Sequence, residues 1–382
     1  MNQNNIFVAV RKRPLNQKEE EQAQFAQIVE IQNNTQINLL DPEQISQKYN
    51  LNANNISKNK FKENHFTFDI VFDENISTKE VYKQTIFQQI NDILDGINTT
   101  IFAYGATGAG KTYTMIGQKD EQGIINLLLN DLFQQIQNKQ LTHNVEIKLA
   151  YMEIYNENLR DLLSTEGKNL DLREDPKIDQ IQIHGLTEIN INSINDLNEY
   201  LKIGAKNRTK DQSFQNEFSS RSHGIIQVYI ECQDKAEGIK TEIICSKLSL
   251  VDLAGSEKAW ANKSKNTKIE GVKINQSLLT LGNCIQALSE NSKGGFIPYR
   301  GSKLTRLLKD SLGGNCRTFM IANISGSILC YEDTYNTLLF ANRAKNVKVC
   351  VQKNIIEKNN HSNFNSRIIY RIRKFDKNSF LR

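Results

Sequence analysis

Gly105-Ala106-Thr107-Gly108-Ala109-Gly110-Lys111-Thr112 fits the pattern G-x-x-x-x-G-K-[ST], and the β-prone run Ile101-Phe102-Ala103-Tyr104 leads straight into it. Glycines at this spacing let the backbone curl so that successive N–H groups converge on an anion, and a helix following the loop would add its positive end. Such a loop grips phosphate. Lys111 is placed to neutralise the outer phosphates of a nucleotide, and Thr112 to ligate Mg²⁺. Nothing in a merely structural glycine turn calls for Lys-Thr after the last glycine.

A phosphate loop alone fits many hydrolases, so a second acidic element matters. The run Leu248-Ser249-Leu250-Val251-Asp252 ends an apolar strand in a carboxylate, the placement that reaches a magnesium ion and its waters. Leu253-Ala254-Gly255-Ser256-Glu257 follows, and Gly255 offers an N–H with no side chain in the way of a terminal phosphate. A third cluster, Asn216-Glu217-Phe218-Ser219-Ser220-Arg221-Ser222-His223, gathers hydroxyls suited to magnesium, water and phosphate oxygens. Taken alone it is equally a serine-rich loop capping a strand, and Arg221 alone a surface charge.

These residues need a scaffold. Strand candidates fall at 6–10, 66–72, 100–104, 145–151, 225–231, 247–251 and 319–324, with helical patterns between them. Alternation of this kind predicts an α/β fold, a central sheet covered on both faces. The clearest helix is expected at about 269–288, where Ile274, Leu278, Leu281, Ile285 and Leu288 form one apolar stripe. Residues 41–64 are polar, carry Lys58, Lys60 and Lys62, and show no periodicity, which predicts an extended surface loop.

The 382 residues leave room for one large domain or two. A net charge of +5 with interspersed signs does not mark a nucleic-acid binder, so any acidic partner must meet a local patch. The six cysteines are scattered without C-x-x-C or zinc spacing and are expected to be reduced. No apolar run reaches the roughly 20 residues of a membrane helix.

The three loops together resemble those of the kinesin motor family, with N-x-x-S-S-R-S-H at 216–223 as its switch I and D-L-A-G-S-E at 252–257 as its switch II. The likeness continues through Tyr151-Met152-Glu153-Ile154-Tyr155-Asn156-Glu157, the pattern at 270–278, Ile297-Pro298-Tyr299-Arg300 and Ser302-Lys303-Leu304-Thr305-Arg306-Leu307-Leu308. It implies a mostly parallel, mixed eight-stranded sheet with helices on both faces, ATP and Mg²⁺ as ligands, and a microtubule as partner. By the same resemblance Arg11, Arg13, Pro14 and Tyr113 hold the adenine, and Thr112, Ser220 and, through water, Asp252 hold the metal. Arg221 and Glu257 would close the two switches by a salt bridge. Glu257 would also prepare the attacking water, with Ser219, Asn216 and Gly255 completing the catalytic set.

The resemblance further implies a track-binding face at Arg300, Lys303, Arg306 and Lys309, and a motor core at 5–345. A neck-linker-like segment at 346–356 would follow, with Asn354 as its latch, and then a basic tail at 357–382. A linker placed after the core resembles plus-end-directed members, and location on cytoplasmic microtubules is implied. Ala106, Ala109, the Leu172-Arg173-Glu174-Asp175 run and the basic loop before Phe66 are similar to the kinesin-8 subfamily, members of which regulate microtubule length. No sustained heptad is visible, so no coiled coil is read from this chain. The alternatives are a P-loop GTPase or helicase, and a microtubule-binding ATPase that does not move.

Overall fold

The computed structural model describes residues 3–22, 27–41, 64–118, 121–164, 169–175, 180–210, 221–236, 240–257, 265–290 and 295–359. Eight strands form the central path: β1 (Phe7–Arg13), β2 (Ile70–Phe72), β3 (Thr99–Tyr104), β4 (His143–Tyr155), β5 (Asn158–Asp161), β6 (His223–Asp234), β7 (Lys240–Asp252) and β8 (Arg317–Ser325). Their spatial order is β5-β4-β6-β7-β3-β8-β1-β2. The half from β7 to β2 is parallel, and the half from β5 to β7 antiparallel. The hairpin Asn169–Asp175 with Gln180–His184 and two further strands extend this path to a twelve-stranded sheet.

Among the described residues the α-helices, in chain order, are α1 (Gln17–Gln22), α2 (Thr78–Thr85), α3 (Ile90–Leu94), α4 (Lys111–Met115), α5 (Ile124–Lys139), α6 (Ile194–Lys210), α7 (Lys265–Glu290), α8 (Lys303–Leu307), α9 (Lys309–Gly313) and α10 (Tyr331–Ala344). Strand alternation divides the core into two layers. Val8, Val10, Phe102, Tyr104, Met320 and Ala322 face α7 to α10. Ala9, Ile101, Ala103, Phe319 and Ile321 face α2 to α6. Leu278, Leu281 and Ile285 of the predicted stripe are buried on α7, with Leu288 half-buried.

The apolar block at 66–72 is not one strand. Residues Asn64–Thr67 join a small antiparallel sheet with Gln36–Leu39 and Val29–Asn33, whereas Ile70–Phe72 enters the main sheet. Asp69 turns the corner: its Oδ2 accepts the Val8 N–H at 2.7 Å and its own N–H donates to Val8 O at 3.2 Å. Of the predicted long loop, residues 42–63 lie outside the described residues.

Segments from the two ends of the described chain add strands to this core. Residues Lys348–Cys350 run antiparallel to Gln3–Asn5. Residues Asn354–Asn359 then pair with positions 240–245 of β7, on the edge where β3 pairs with positions 248–252. The last described strand therefore lies end to end with the strand that delivers the phosphate loop.

Helix α6 lies so close to β4 that a Cβ on Gly204 would sit 2.1 Å from the Tyr151 ring. That approach seats Arg208, one turn further on, over the end of β7. Gly204→Ala should therefore destabilise the fold by about 1–3 kcal/mol through overpacking, read as a lower urea midpoint with unchanged slope. An unchanged midpoint would show that the ring moves aside freely.

Candidate active site

The phosphate loop follows the prediction. Gly108 and Gly110 adopt φ of 76° and 99°, left-handed values that suit glycine, and α4 begins at Lys111. The Lys111 ammonium is buried at the centre and donates to Gly105 O at 2.9 Å and Ala106 O at 2.8 Å. Burial pushes its pKa down, opposed by the nearby Asp252 and Glu257 carboxylates. Thr112 Oγ1 donates to Asp252 Oδ2 at 3.2 Å, so a hydroxyl and a carboxylate converge beside the loop. Hard oxygen donors of this kind fit Mg²⁺, which keeps waters and takes phosphate oxygens rather than needing an all-protein cage. Among the described residues no cluster of three acidic, histidine or cysteine ligands exists.

Asp252 is 3% exposed, and its counter-cation is a residue that sequence reading missed. Arg208 Nη1 lies 3.1 Å from Asp252 Oδ2, and Nε lies 3.6 Å from Glu153 Oε1. Arg208 Nη2 also donates to Ser222 O at 3.2 Å, fastening α6 to the start of β6. Burial opposes its charge, but Asp252, Tyr151 and Glu153 outweigh that and raise its pKa. The Arg208 position carries no local signal, because its two carboxylate partners lie 44 and 55 residues away in the chain.

His223 is a second such residue. Its Nδ1 accepts the Ala254 N–H at 3.0 Å, which leaves the proton on Nε2 to donate to Ser277 Oγ at 2.8 Å. Switch II is thus joined to α7 through one imidazole. Complete burial, then Arg208 and Lys111, push its pKa down to about 3.

Glu257 reaches back over the phosphate loop. Its Oε2 accepts the Thr107 N–H at 2.7 Å and its Oε1 accepts the Thr107 hydroxyl at 2.5 Å. The carboxylate fills the space over Gly255, where a Cβ would lie 2.2 Å from both Glu257 Oε2 and Thr107 Oγ1. Ser256 N–H donates to Gly105 O at 3.0 Å. Switch II therefore rests directly on the phosphate loop, and the carboxylate uses a donor that the loop would offer to phosphate. Arg221 stands half-buried just before β6. Asn216, Ser219 and Ser220 lie outside the described residues.

Of the expected base-holding residues, Arg11 and Tyr113 are brought together. Arg11 is buried, donating to Thr78 Oγ1 and Thr114 Oγ1, both at 3.0 Å, and to Ile76 O at 3.2 Å. Its Cζ lies 5.3 Å from the centroid of the Tyr113 ring. Arg13 forms a two-pronged pair with Glu19 at 2.6 Å per contact, pulling that carboxyl to about pKa 2. Both guanidiniums are thus engaged by protein, which leaves the Tyr113 ring and the exposed Pro14 as the open surfaces.

The residues of the expected track-binding face do not lie on a single helix. The helix breaks at Leu308, giving α8 and α9, with Ser302 capping α8 by accepting the Thr305 N–H at 3.0 Å. Arg300 and Lys309 both meet Glu174 of the extending hairpin, at 2.8 and 3.6 Å. Arg306 donates to Leu172 O at 3.3 Å. The Lys303 N–H is held by Glu157 Oε2 at 2.7 Å. Hence the hairpin and the basic segment form one surface.

Asn354 ties down the final strand. Its Nδ2 donates to Gly96 O at 2.8 Å, its N–H to the same oxygen at 2.9 Å, and its Oδ1 accepts from Asn315 Nδ2 at 2.9 Å.

The His223 environment has a pH signature. A histidine ordinarily titrates near 6.5, whereas this one stays neutral in the folded chain to about 3, so the unfolded chain binds more protons between those values. Stability should therefore fall as pH drops below 6.5, by up to about 1.4 kcal/mol per pH unit. Urea unfolding from pH 7 to 5 should show this slope, and His223→Asn should lose one proton's worth of it. An identical slope in the variant would exclude the assignment.

Residues 11–347 match the family model described as "Kinesin motor domain". The mouse "Kinesin-like protein KIF18A" is 44% identical over 93% of this chain and 40% of its own length, and the Xenopus laevis "Kinesin-like protein KIF19" is 42% identical over 97% and 36%. The chain thus spans about two fifths of the length of these relatives, which are of the kinesin-8 type expected from the sequence. A solved structure of a KIF14 dimer, with AMP-PNP and in complex with a microtubule, superposes with a TM-score of 0.80 at 35% identity, covering 91% of this chain and 96% of that one. With the fold, the phosphate loop and both the matched residues and the relatives in agreement, this chain belongs to the kinesin motor domain family.

Proposed function

We propose that the chain hydrolyses ATP with Mg²⁺ and couples that turnover to movement along microtubules, as a motor of the cytoskeleton. The observation that carries this reading is the seat of Glu257 on Thr107, which joins switch II to the phosphate loop. A carboxylate in that position must leave when a terminal phosphate takes the Thr107 N–H, so occupancy of the loop changes the shape of switch II. Arg221 is then the partner to which Glu257 would turn, and the pair would exclude bulk water and orient the attacking one. Asn216, Ser219 and Gly255 would steady the closed loops.

When bound, the metal would neutralise charge on the transferring phosphate, with Thr112 and Ser220 as ligands and Asp252 acting through water. Lys111 would hold the outer phosphates, and Gly105, Ala106, Thr107, Gly108, Ala109 and Gly110 would supply the backbone cradle. The adenine would rest on Tyr113 and Pro14, supported by Arg11 and Arg13. Arg300, Lys303, Arg306 and Lys309 would meet the acidic microtubule surface, a contact weakened by salt. Residues 346–356 would serve as the neck linker, latched at Asn354, and the kinesin-8 likeness supports plus-end movement with a role in microtubule length.

Phosphate release from purified protein should accelerate severalfold or more when microtubules are added. Glu257→Ala should abolish that stimulated release while ATP-dependent co-sedimentation persists. Microtubule binding without stimulated release in the unaltered protein would remove the motor reading, and unchanged turnover in Glu257→Ala would remove the role given to that residue.

A further inference from the structure

Glu121 lies outside the phosphate loop and both switches, yet its carboxylate joins three elements. It sits on Glu121–Gln122, which pairs antiparallel with Gly117–Gln118 to make a short hairpin between α4 and α5. The hairpin is tightly built. Gly117 has φ of 92°, a Cβ there would lie 2.2 Å from Glu121 O, and Gly123 N–H donates to Ile116 O at 3.1 Å. From this base Glu121 Oε1 accepts the N–H of Thr78, the first residue of α2, at 2.8 Å. Its Oε2 accepts the Tyr113 hydroxyl.

Tyr113 is thereby held at two places. Its hydroxyl is fixed by Glu121, and Arg11 stands over its ring, with the guanidinium in turn fixed by Thr78 and Thr114. The hydrogen bond to Glu121 raises the tyrosine pKa, so the phenol remains a donor, and the same bond keeps the carboxyl below the usual carboxylate range. A half-buried tyrosine has two side-chain torsions to lose when a flat group stacks on it, and a ring already fixed does not lose them again.

We propose that Glu121 is a positioning residue for nucleotide recognition, holding the Tyr113 ring between Arg11 and the place of a purine base. This inference rests on the reading of the site as an ATP site. It deepens that reading by adding a residue that touches no nucleotide and acts through the tyrosine hydroxyl. The role predicts a specific pattern. Loss of either end of the Glu121–Tyr113 bond should weaken ground-state binding of ATP while leaving the chemical step alone.

The test uses the full chain, an ATP analogue carrying a fluorophore on the ribose, and steady-state turnover with saturating microtubules. Glu121→Leu keeps the approximate side-chain size but removes both acceptor oxygens, and Tyr113→Phe keeps the ring without its hydroxyl. Each should raise Kd for the analogue and KM for ATP about 3- to 10-fold, the range expected for one hydrogen bond, with kcat within about twofold. Because both remove the same bond, the double variant should be no weaker than the single ones. Gln118→Ala, on the other strand of the hairpin, should bind as the unaltered protein does. Unchanged KM in either single variant, or a double-variant loss equal to the product of the two, would overturn the proposal. Failure of the unaltered protein to bind the analogue would instead overturn the ATP reading beneath it.

Discussion

A carboxylate buried at the end of a strand constrains everything around it. Asp252 terminates β7 in the interior, where an ionised group without partners would be strongly destabilising. Arg208 and the Thr112 hydroxyl both meet its Oδ2, and Glu153 shares the guanidinium. Four segments are thereby fixed relative to one another: the phosphate loop, switch II, the end of α6 and strand β4. Replacing such a cluster by apolar groups can leave stability intact, but removing one member leaves a buried charge unpaired. Its value lies in geometry. Arg208 reaches Asp252 only because Gly204 lets α6 lie against the Tyr151 ring.

The same strand links the phosphate loop to the last described strand. Positions 248–252 of β7 lie beside β3, which delivers the phosphate loop, and positions 240–245 accept the strand Asn354–Asn359. A second route runs through α7. His223 joins Ala254 of switch II to Ser277 of that helix, and farther along the helix Gly282 lies beside Phe340 of α10. Phe340 stacks on Tyr104, the residue before the phosphate loop, with centroids 3.9 Å apart and rings 6° from parallel. Contacts of this kind are the material through which coupling can pass, and coupling itself is an energetic quantity that only a change of state reveals.

The parts that were legible in the sequence are those with local signals. The phosphate loop has a fixed spacing of glycines, the stripe on α7 has the helical period, and Asp252 stands at the end of an apolar run. Arg208 and Glu121 were not legible, because their meaning lies in partners brought near by folding. The 66–72 block illustrates a different limit. Its apolar content is continuous, but Asp69 supplies strand-like hydrogen bonds to Val8 from a corner, so hydrophobicity alone joins two strands that belong to different sheets. Likewise the three-residue recurrence of Lys303, Arg306 and Lys309 suggests one basic helix edge, whereas the break at Leu308 and the Glu174 carboxylate make a composite surface.

The central claim is that the state of the phosphate loop is felt by the strand at the far end of β7. Hydrogen exchange of the amides in Asn354–Asn359 tests it directly, on microtubule-bound protein with either a non-hydrolysable ATP analogue or ADP. Strong protection with the analogue and rapid exchange with ADP is the predicted result. Equal protection in the two states would contradict the claim, since the strand would then be a fixed part of the fold rather than its moving output.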